Sequence, residues 1–261
     1  MFEYEFMRRA YVVGTVLAVI LPLIGLPILL KRLSMMGDTL SHASLAGVAI
    51  GLCMGFDPLL GSVAACVVAG LSVELISSRL KSYQEISAVI VLAASIGLAG
   101  IFTSLSGSSN SISSYLFGSI VTIGDLEFAL VLVVAAVVLV VYRIIYDRLY
   151  LSVFDPAAAP LLGIDSRRLS LAFSFLVAIT VSIAAKTIGS LIVSSLMVIP
   201  VICAMQFARS CRGVLILSVG LSVAFVYLGL AVSYFYNLRP GSVIVLIAVI
   251  GLSVAMLAKK K

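Results

Sequence analysis

Charge is scarce in this chain. Asp, Glu, Lys and Arg make up 11% of its 261 residues, roughly half the share of a soluble domain. No polar stretch is long enough for a separate soluble domain, so a soluble protein with a single anchor is excluded. Histidine occurs once, as His42. The cysteines are Cys53, Cys66, Cys203 and Cys211, with no C-x-x-C pair. A disulfide framework and a thiolate metal site are therefore not expected. Three of the four lie in apolar runs, and buried free thiols are the expectation. No G-x-x-x-x-G-K-[ST] occurs, so the chain does not cradle ATP phosphates by that route. H-E-x-x-H, paired acids and a supported Ser/His/Asp set are also missing, which ranks an intramembrane enzyme low.

Apolar sequence fills the space. Hydrophobic residues reach 62% and mean hydropathy is +1.27. The fold class read from this is all-α: a polytopic membrane helix bundle of eight or nine spans, forming one domain over residues 1–261. Spans are expected near 10–30, 38–55, 59–78, 86–105, 126–145, 169–185, 191–207, 214–236 and 241–258. The first run lacks a small-residue cleavage site, so it reads as a retained span. Pro22 and Pro27 should kink it. Between 106 and 124 a Ser- and Gly-rich loop with a short interfacial helix is expected. Lys186 to Ser190 reads as a tight turn. The longest polar region runs from Tyr146 to Arg168. Within it Asp155 suits an N-cap, Pro156 a first helical position and Gly163 a stop, so a short helix is placed at 156–162.

The net charge of +6 sits in short loops and reads as topology, with no nucleic-acid partner implied. With the N-terminus outside, 13 basic residues fall inside and four outside. The inner set comprises Lys31, Arg32, Arg79, Lys81, Arg143, Arg148, Arg167, Arg168, Arg209, Arg212 and the three C-terminal lysines. This positive-inside bias puts the 156–162 helix on the cytoplasmic side.

The stretch from Gly37 to Gly51 is the unusual one. Asp38 and His42 are four apart and share a face of a helix that is otherwise apolar. Ala43, Gly47, Gly51 and Gly55 form an adjacent stripe of small residues, which lets another helix approach closely. Ionisable groups at membrane depth point to a metal or proton path. A neutral imidazole and one carboxylate suit Zn²⁺. The structural alternative is that Asp38 caps the helix and His42 hydrogen-bonds a neighbour. Glu74, Ser194 and Ser195 are further candidates for the path. For Glu74 the alternative is pairing with Arg79 or reaching the interface, and for the serines it is helix packing. Lys186 is expected to reach the headgroups.

Four segments carry a resemblance. Lys31-Arg32-Leu33-Ser34-Met35-Met36-Gly37-Asp38-Thr39-Leu40-Ser41-His42-Ala43-Ser44-Leu45 resembles the signature of the ABC-type metal permeases. Tyr115-Leu116-Phe117-Gly118, the run from Gly189 to Pro200, and Pro240-Gly241-Ser242-Val243-Ile244-Val245-Leu246 resemble later parts of the same family, in order. The resemblance covers nearly the whole chain. It implies the membrane subunit of an importer for Zn²⁺ or Mn²⁺ in a bacterial or archaeal plasma membrane. Gly-Asp-Thr-Leu-Ser-His-Ala-Ser-Leu looks most like the zinc permeases. The implied partners are a second copy of the chain, cytoplasmic ATPase subunits and an extracytoplasmic metal-binding protein. Asp155, Pro156, Ala157, Ala158, Ala159, Pro160, Leu161, Leu162 and Gly163 would then form the coupling helix that meets the ATPase. No cofactor of its own and no enzymatic activity are implied, and the metal is cargo. Ala46 departs from the family, where many members have Pro, so the second span is expected to be straighter. The rival reading is a proton-driven secondary transporter with Asp38 and His42 as the relay.

Overall fold

The computed structural model describes residues 5–80, 83–106, 124–155, 158–236 and 238–259. All regular structure among them is helical. The helices are α1 Glu5–Leu30, α2 Met36–Met54, α3 Pro58–Arg79, α4 Gln84–Ser106, α5 Asp125–Phe154, α6 Ala158–Leu161, α7 Ser166–Ile188, α8 Ser190–Phe207, α9 Cys211–Tyr236 and α10 Pro240–Lys259. Eight are long and apolar enough to cross a membrane. α2 falls outside that set. Its 19 residues give it a length of about 28 Å, but Asp38, His42 and its serines make it too polar. The expected loop and interfacial helix at 106–124 lie almost wholly outside the described residues.

Contacts divide the chain into two compact units. One comprises 27–112 and 136–183, and the other comprises 1–26, 113–135 and 184–261. In the first, α2 packs chiefly against α3 and α4. Thirteen of its 19 residues are buried. A helix too polar for lipid has to be enclosed by protein, since lipid offers its polar groups no partners. Glycine makes the enclosure tight. A Cβ placed on Gly47 would lie 2.2 Å from the Gly61 carbonyl oxygen and 2.7 Å from the Ala65 Cβ. Ala43 is buried on the same stripe, and a Cβ on Gly51 would lie 3.0 Å from the Pro58 Cα. Gly55 does not pack. It has open space around it and ends α2 in the left-handed conformation at φ 75°.

In the second unit, α8, α9 and α10 pack on one another around Cys203, Phe225, Ala248 and Ala255. Ion pairs of Arg9 and Lys186 tie helix ends together. Arg9 bridges Glu5 and Asp125. Lys186 pairs with Glu127 at 3.1 Å, rather than reaching the headgroups as expected, because a carboxylate at the start of α5 lies within its reach.

Two boundaries and the burial of one cysteine differ from the sequence reading. α5 continues nine residues beyond the expected end at 145, to Phe154. An aromatic ladder at four-residue spacing carries it, with ring centroids 5.8, 4.5 and 6.3 Å apart along Tyr142, Tyr146, Tyr150 and Phe154. The turn expected over 186–190 is Gly189 alone, at φ 95° and ψ 146°, a conformation that glycine adopts without strain. Finally, Cys53 is exposed near the end of α2, whereas Cys66 and Cys203 are buried as expected.

The close approach at Gly47 gives a test. Gly47→Ala should lower the thermal stability of the purified protein by about 1–3 kcal/mol, the usual cost of overpacking. Gly97→Ala, which would meet nothing within 4 Å, should leave stability unchanged or raise it. Equal melting temperatures for the two variants would contradict this packing.

Candidate functional site

Within 36–49 every residue of α2 is buried except Asp38 and His42. The two side chains therefore occupy the one open strip of an enclosed helix. Neither has a hydrogen-bond partner among the described residues. The residue in the N-cap position is Met35, without a side-chain cap, so Asp38 is not the cap. The structural alternatives for this pair thus find no support in the geometry.

The surroundings of the strip are fixed on every other side. α1 ends in two reverse hydrogen bonds, Leu33 N–H to Ile28 O and Arg32 N–H to Leu29 O, both 3.0 Å. Arg32 takes a left-handed φ of 57° to make them. The Ser34 hydroxyl bonds to the Glu85 carboxylate. Thr39 Oγ1 donates to Met35 O at 2.8 Å or to Ala88 O of α4 at 3.0 Å. The Cys66 thiol donates to Leu40 O at 3.1 Å. Deeper in, Ser44 Oγ lies 2.7 Å from Ser62 Oγ, which lies 2.9 Å from Ser182 Oγ. Such interhelical bonds contribute roughly 0.6–2 kcal/mol each at membrane depth.

Glu74 does not pair with Arg79. Its Oε2 lies 3.9 Å from Lys31 Nζ and accepts from Ser174 Oγ at 3.1 Å. Lys31 also donates to Ser170 Oγ at 2.7 Å and sits 5.5 Å above the Phe173 ring. Both charged side chains are about one-sixth exposed or less, at 14% and 16%. Burial pushes the Lys31 ammonium below its ordinary pKa, and the Glu74 carboxylate opposes that shift. Ser194 and Ser195 bond to carbonyls of their own helix, at 3.3 and 2.7 Å, and belong to the other unit.

A cavity of about 720 Å³ opens beside the Lys31–Glu74 pair. Its walls include Leu30, Ser78, Gln84, Val153, Pro160 and Ser166. These are the end of α1, the end of α3, the start of α4, the end of α5, the α6 turn and the start of α7. The ends of α1 and α3 thus lie on one side, so α2 between them runs back through the same thickness despite its polarity.

α6 forms one helical turn at this mouth. Asp155 Oδ1 accepts from Ala158 N–H at 3.0 Å. Ala159 is buried. Gly163 closes the turn at φ 73°, with its N–H on Pro160 O at 3.0 Å. Leu161 and Leu162 are 88% and 66% exposed, Leu161 the most exposed large apolar side chain among the described residues. Pro156 and Ala157 lie outside the described residues. Among the described residues no three His, Cys, Asp or Glu side chains converge as a metal site, so Asp38 and His42 offer two ligands at most from one chain.

Residues 3–259 match the ABC 3 transport family. The chain belongs to that family. It is 32% identical over 259 residues to a probable metal transport system membrane protein of Treponema pallidum, covering 97% of each chain. It is 26% identical to the manganese transport system membrane protein MntC of Listeria monocytogenes, covering 99% of this chain and 92% of the other. Among solved structures it is similar to PsaBC from Streptococcus pneumoniae in complex with a Fab, with a TM-score of 0.83 at 24% identity over 97% of this chain and 91% of that one. An inward-facing putative metal-chelate type ABC transporter shares the fold at a TM-score of 0.72 and 18% identity, over 97% and 85%. The resemblance read from the four segments is borne out at the level of the family. The permease is a multi-pass membrane protein.

The permease residues that sequence reading missed are Lys31, Ser44, Ser62, Ser170, Ser174 and Ser182. Spacing in multiples of four, between Ser62 and Glu74 and among Ser170, Ser174 and Ser182, is a signal for some of them.

The buried pair makes a pH prediction. Removing Glu74 leaves Lys31 charged and uncompensated, at a cost of about 3–5 kcal/mol. Glu74→Gln should therefore melt well below the wild type at neutral pH. In that variant the Lys31 pKa falls further below its unfolded value near 10.5. As pH rises through the folded pKa, the native state loses its proton while the unfolded chain keeps one, so stability rises. The deficit of Glu74→Gln should shrink on the alkaline side and vanish in Lys31→Met/Glu74→Gln. A deficit independent of pH would contradict the assignment.

Proposed function

We propose that this permease is the membrane subunit of an ATP-driven importer of a divalent metal ion, with Asp38 and His42 on the ion's path. One observation carries the reading. The only histidine in the sequence and an acid one turn away are the two unburied residues on an otherwise enclosed stretch of helix. Imidazole and carboxylate together suit both Zn²⁺ and Mn²⁺. Mn²⁺ is favoured by the manganese-named relatives that align over nearly the whole chain. Zn²⁺ is favoured by the Gly-Asp-Thr-Leu-Ser-His segment. Two ligands per chain leave the coordination incomplete, so a second copy of the chain or water supplies the rest. An incomplete site also suits an ion that must be released.

The permease acts as one domain in a homodimer, in a bacterial or archaeal plasma membrane. Energy comes from a separate ATPase, since the sequence lacks a phosphate loop of its own. The positive-inside rule places Lys31, Arg79, Arg167 and the α6 turn in the cytoplasm. There Leu161 and Leu162 present an exposed apolar tip for the ATPase. An extracytoplasmic metal-binding protein delivers the ion from the other side. Glu74, held by Lys31 and Ser174, supports the path from the side instead of binding the ion.

The test is uptake of radiolabelled Mn²⁺ and Zn²⁺ in cells that express the permease with its ATPase and binding protein. His42→Ala and Asp38→Ala, at matched membrane levels, should each lose roughly an order of magnitude or more of uptake of the same ion. Wild-type uptake in both variants, or wild-type uptake that needs no ATPase, would overturn the reading.

A further inference from the structure

α3 and α7 meet along two stripes of small and polar residues. Ser62, Cys66, Gly70 and Glu74 are spaced by four on α3, and Ser170, Ser174, Ala178 and Ser182 are spaced by four on α7. Each set therefore lines one face. The contacts pair them in antiparallel order. Ser62 Oγ meets Ser182 Oγ at 2.9 Å. A Cβ on Gly70 would lie 3.4 Å from the Ala178 Cβ and 3.3 Å from Ser174 O. Glu74 accepts from Ser174 at 3.1 Å. Lys31 closes the cavity end of the seam through Ser170 at 2.7 Å and Glu74 at 3.9 Å.

Both ends of this seam connect to something. At one end α7 begins five residues after the α6 turn, whose Pro160 lines the same cavity as Lys31 and Glu74. At the other, Ser62 lies 2.7 Å from Ser44 of α2. Small side chains bring the helix backbones close, and hydroxyl pairs hold one register between them. A push on α7 is then shared with α3 and α2 instead of being absorbed by bulky, deformable side chains.

We infer that Lys31, Glu74, Ser174, Ser62 and Ser182 are positioning residues that join the α6 turn to α2, so that displacement of α7 moves the helix carrying Asp38 and His42. This rests on the importer reading above. The residues act through α2 and do not touch the ion. The Lys31–Glu74 clasp sets the register at the cavity, and the Ser44–Ser62–Ser182 chain sets it at depth.

The experiment uses the full permease with its ATPase, reconstituted in vesicles, and reads ATP hydrolysed per Mn²⁺ or Zn²⁺ ion transported. Glu74→Gln, Ser62→Ala and Ser182→Ala should each raise this ratio several-fold, because hydrolysis continues while movement no longer reaches α2. Lys31→Met/Glu74→Gln leaves no orphan charge and should show the same rise with near-normal stability. Ser253→Ala, which frees only a bond to Val249 of its own helix, should keep the wild-type ratio. A ratio that stays at the wild-type value in the seam variants, with both activities falling together, overturns the inference. So does a Glu74→Gln variant with weakened ion affinity and a normal ratio, which would place Glu74 on the path. If the wild type shows no hydrolysis coupled to uptake, the importer reading itself fails, and the inference with it.

Discussion

A polar helix cannot face lipid, and this structure is arranged around that constraint. α2 carries an acid, the single histidine, a threonine and two serines in a chain with little charge elsewhere. Lipid offers such groups no partners, and water reaches them only along a polar opening. The protein encloses α2 with α3 and α4, brings the backbone of α3 against Gly47, meets Thr39 with a carbonyl of α4, and meets Ser44 with Ser62 of α3, which is itself held by Ser182 of α7. The enclosure leaves one strip open, and it is the strip that holds Asp38 and His42.

The same constraint explains why the ion pairs lie where they do. Three ion pairs among the described residues join distant segments: Arg9 with Asp125, Lys186 with Glu127, and Lys31 with Glu74. The Lys31–Glu74 pair is the most enclosed of these, and serines of α7 satisfy both its members. A buried pair of this kind contributes little net stability but is costly to break on one side only. It therefore serves better to hold a register between helices than to strengthen the fold.

Much of this was legible in the sequence. Span positions follow from hydropathy, because the bilayer imposes a length and excludes charge. The candidate site was read from composition: one histidine, one turn from an acid, in a helix of otherwise apolar and small residues. What was not legible depends on partners far away in the chain. Glu74 has Arg79 nearby on its own helix, yet its cation comes from the end of α1. Lys186 had the headgroups as an obvious destination, yet a carboxylate opening α5 is closer. The tail of α5 reads as polar loop because Arg143, Asp147 and Arg148 dominate its hydropathy, while an aromatic ladder keeps it helical. Gly55 matched the spacing of a packing stripe but serves the helix end, since four-residue periodicity cannot tell the last turn from the ones before it.

In the proposed function the metal ion meets His42 and Asp38 on the open strip of α2. Because the sequence holds one histidine, pulsed electron paramagnetic resonance of Mn²⁺ bound to the untagged permease tests it directly. Modulation from imidazole nitrogen is expected in the wild type, lost in His42→Ala and retained in Ser194→Ala. Mn²⁺ bound with a spectrum free of imidazole nitrogen, and unchanged in His42→Ala, would contradict it.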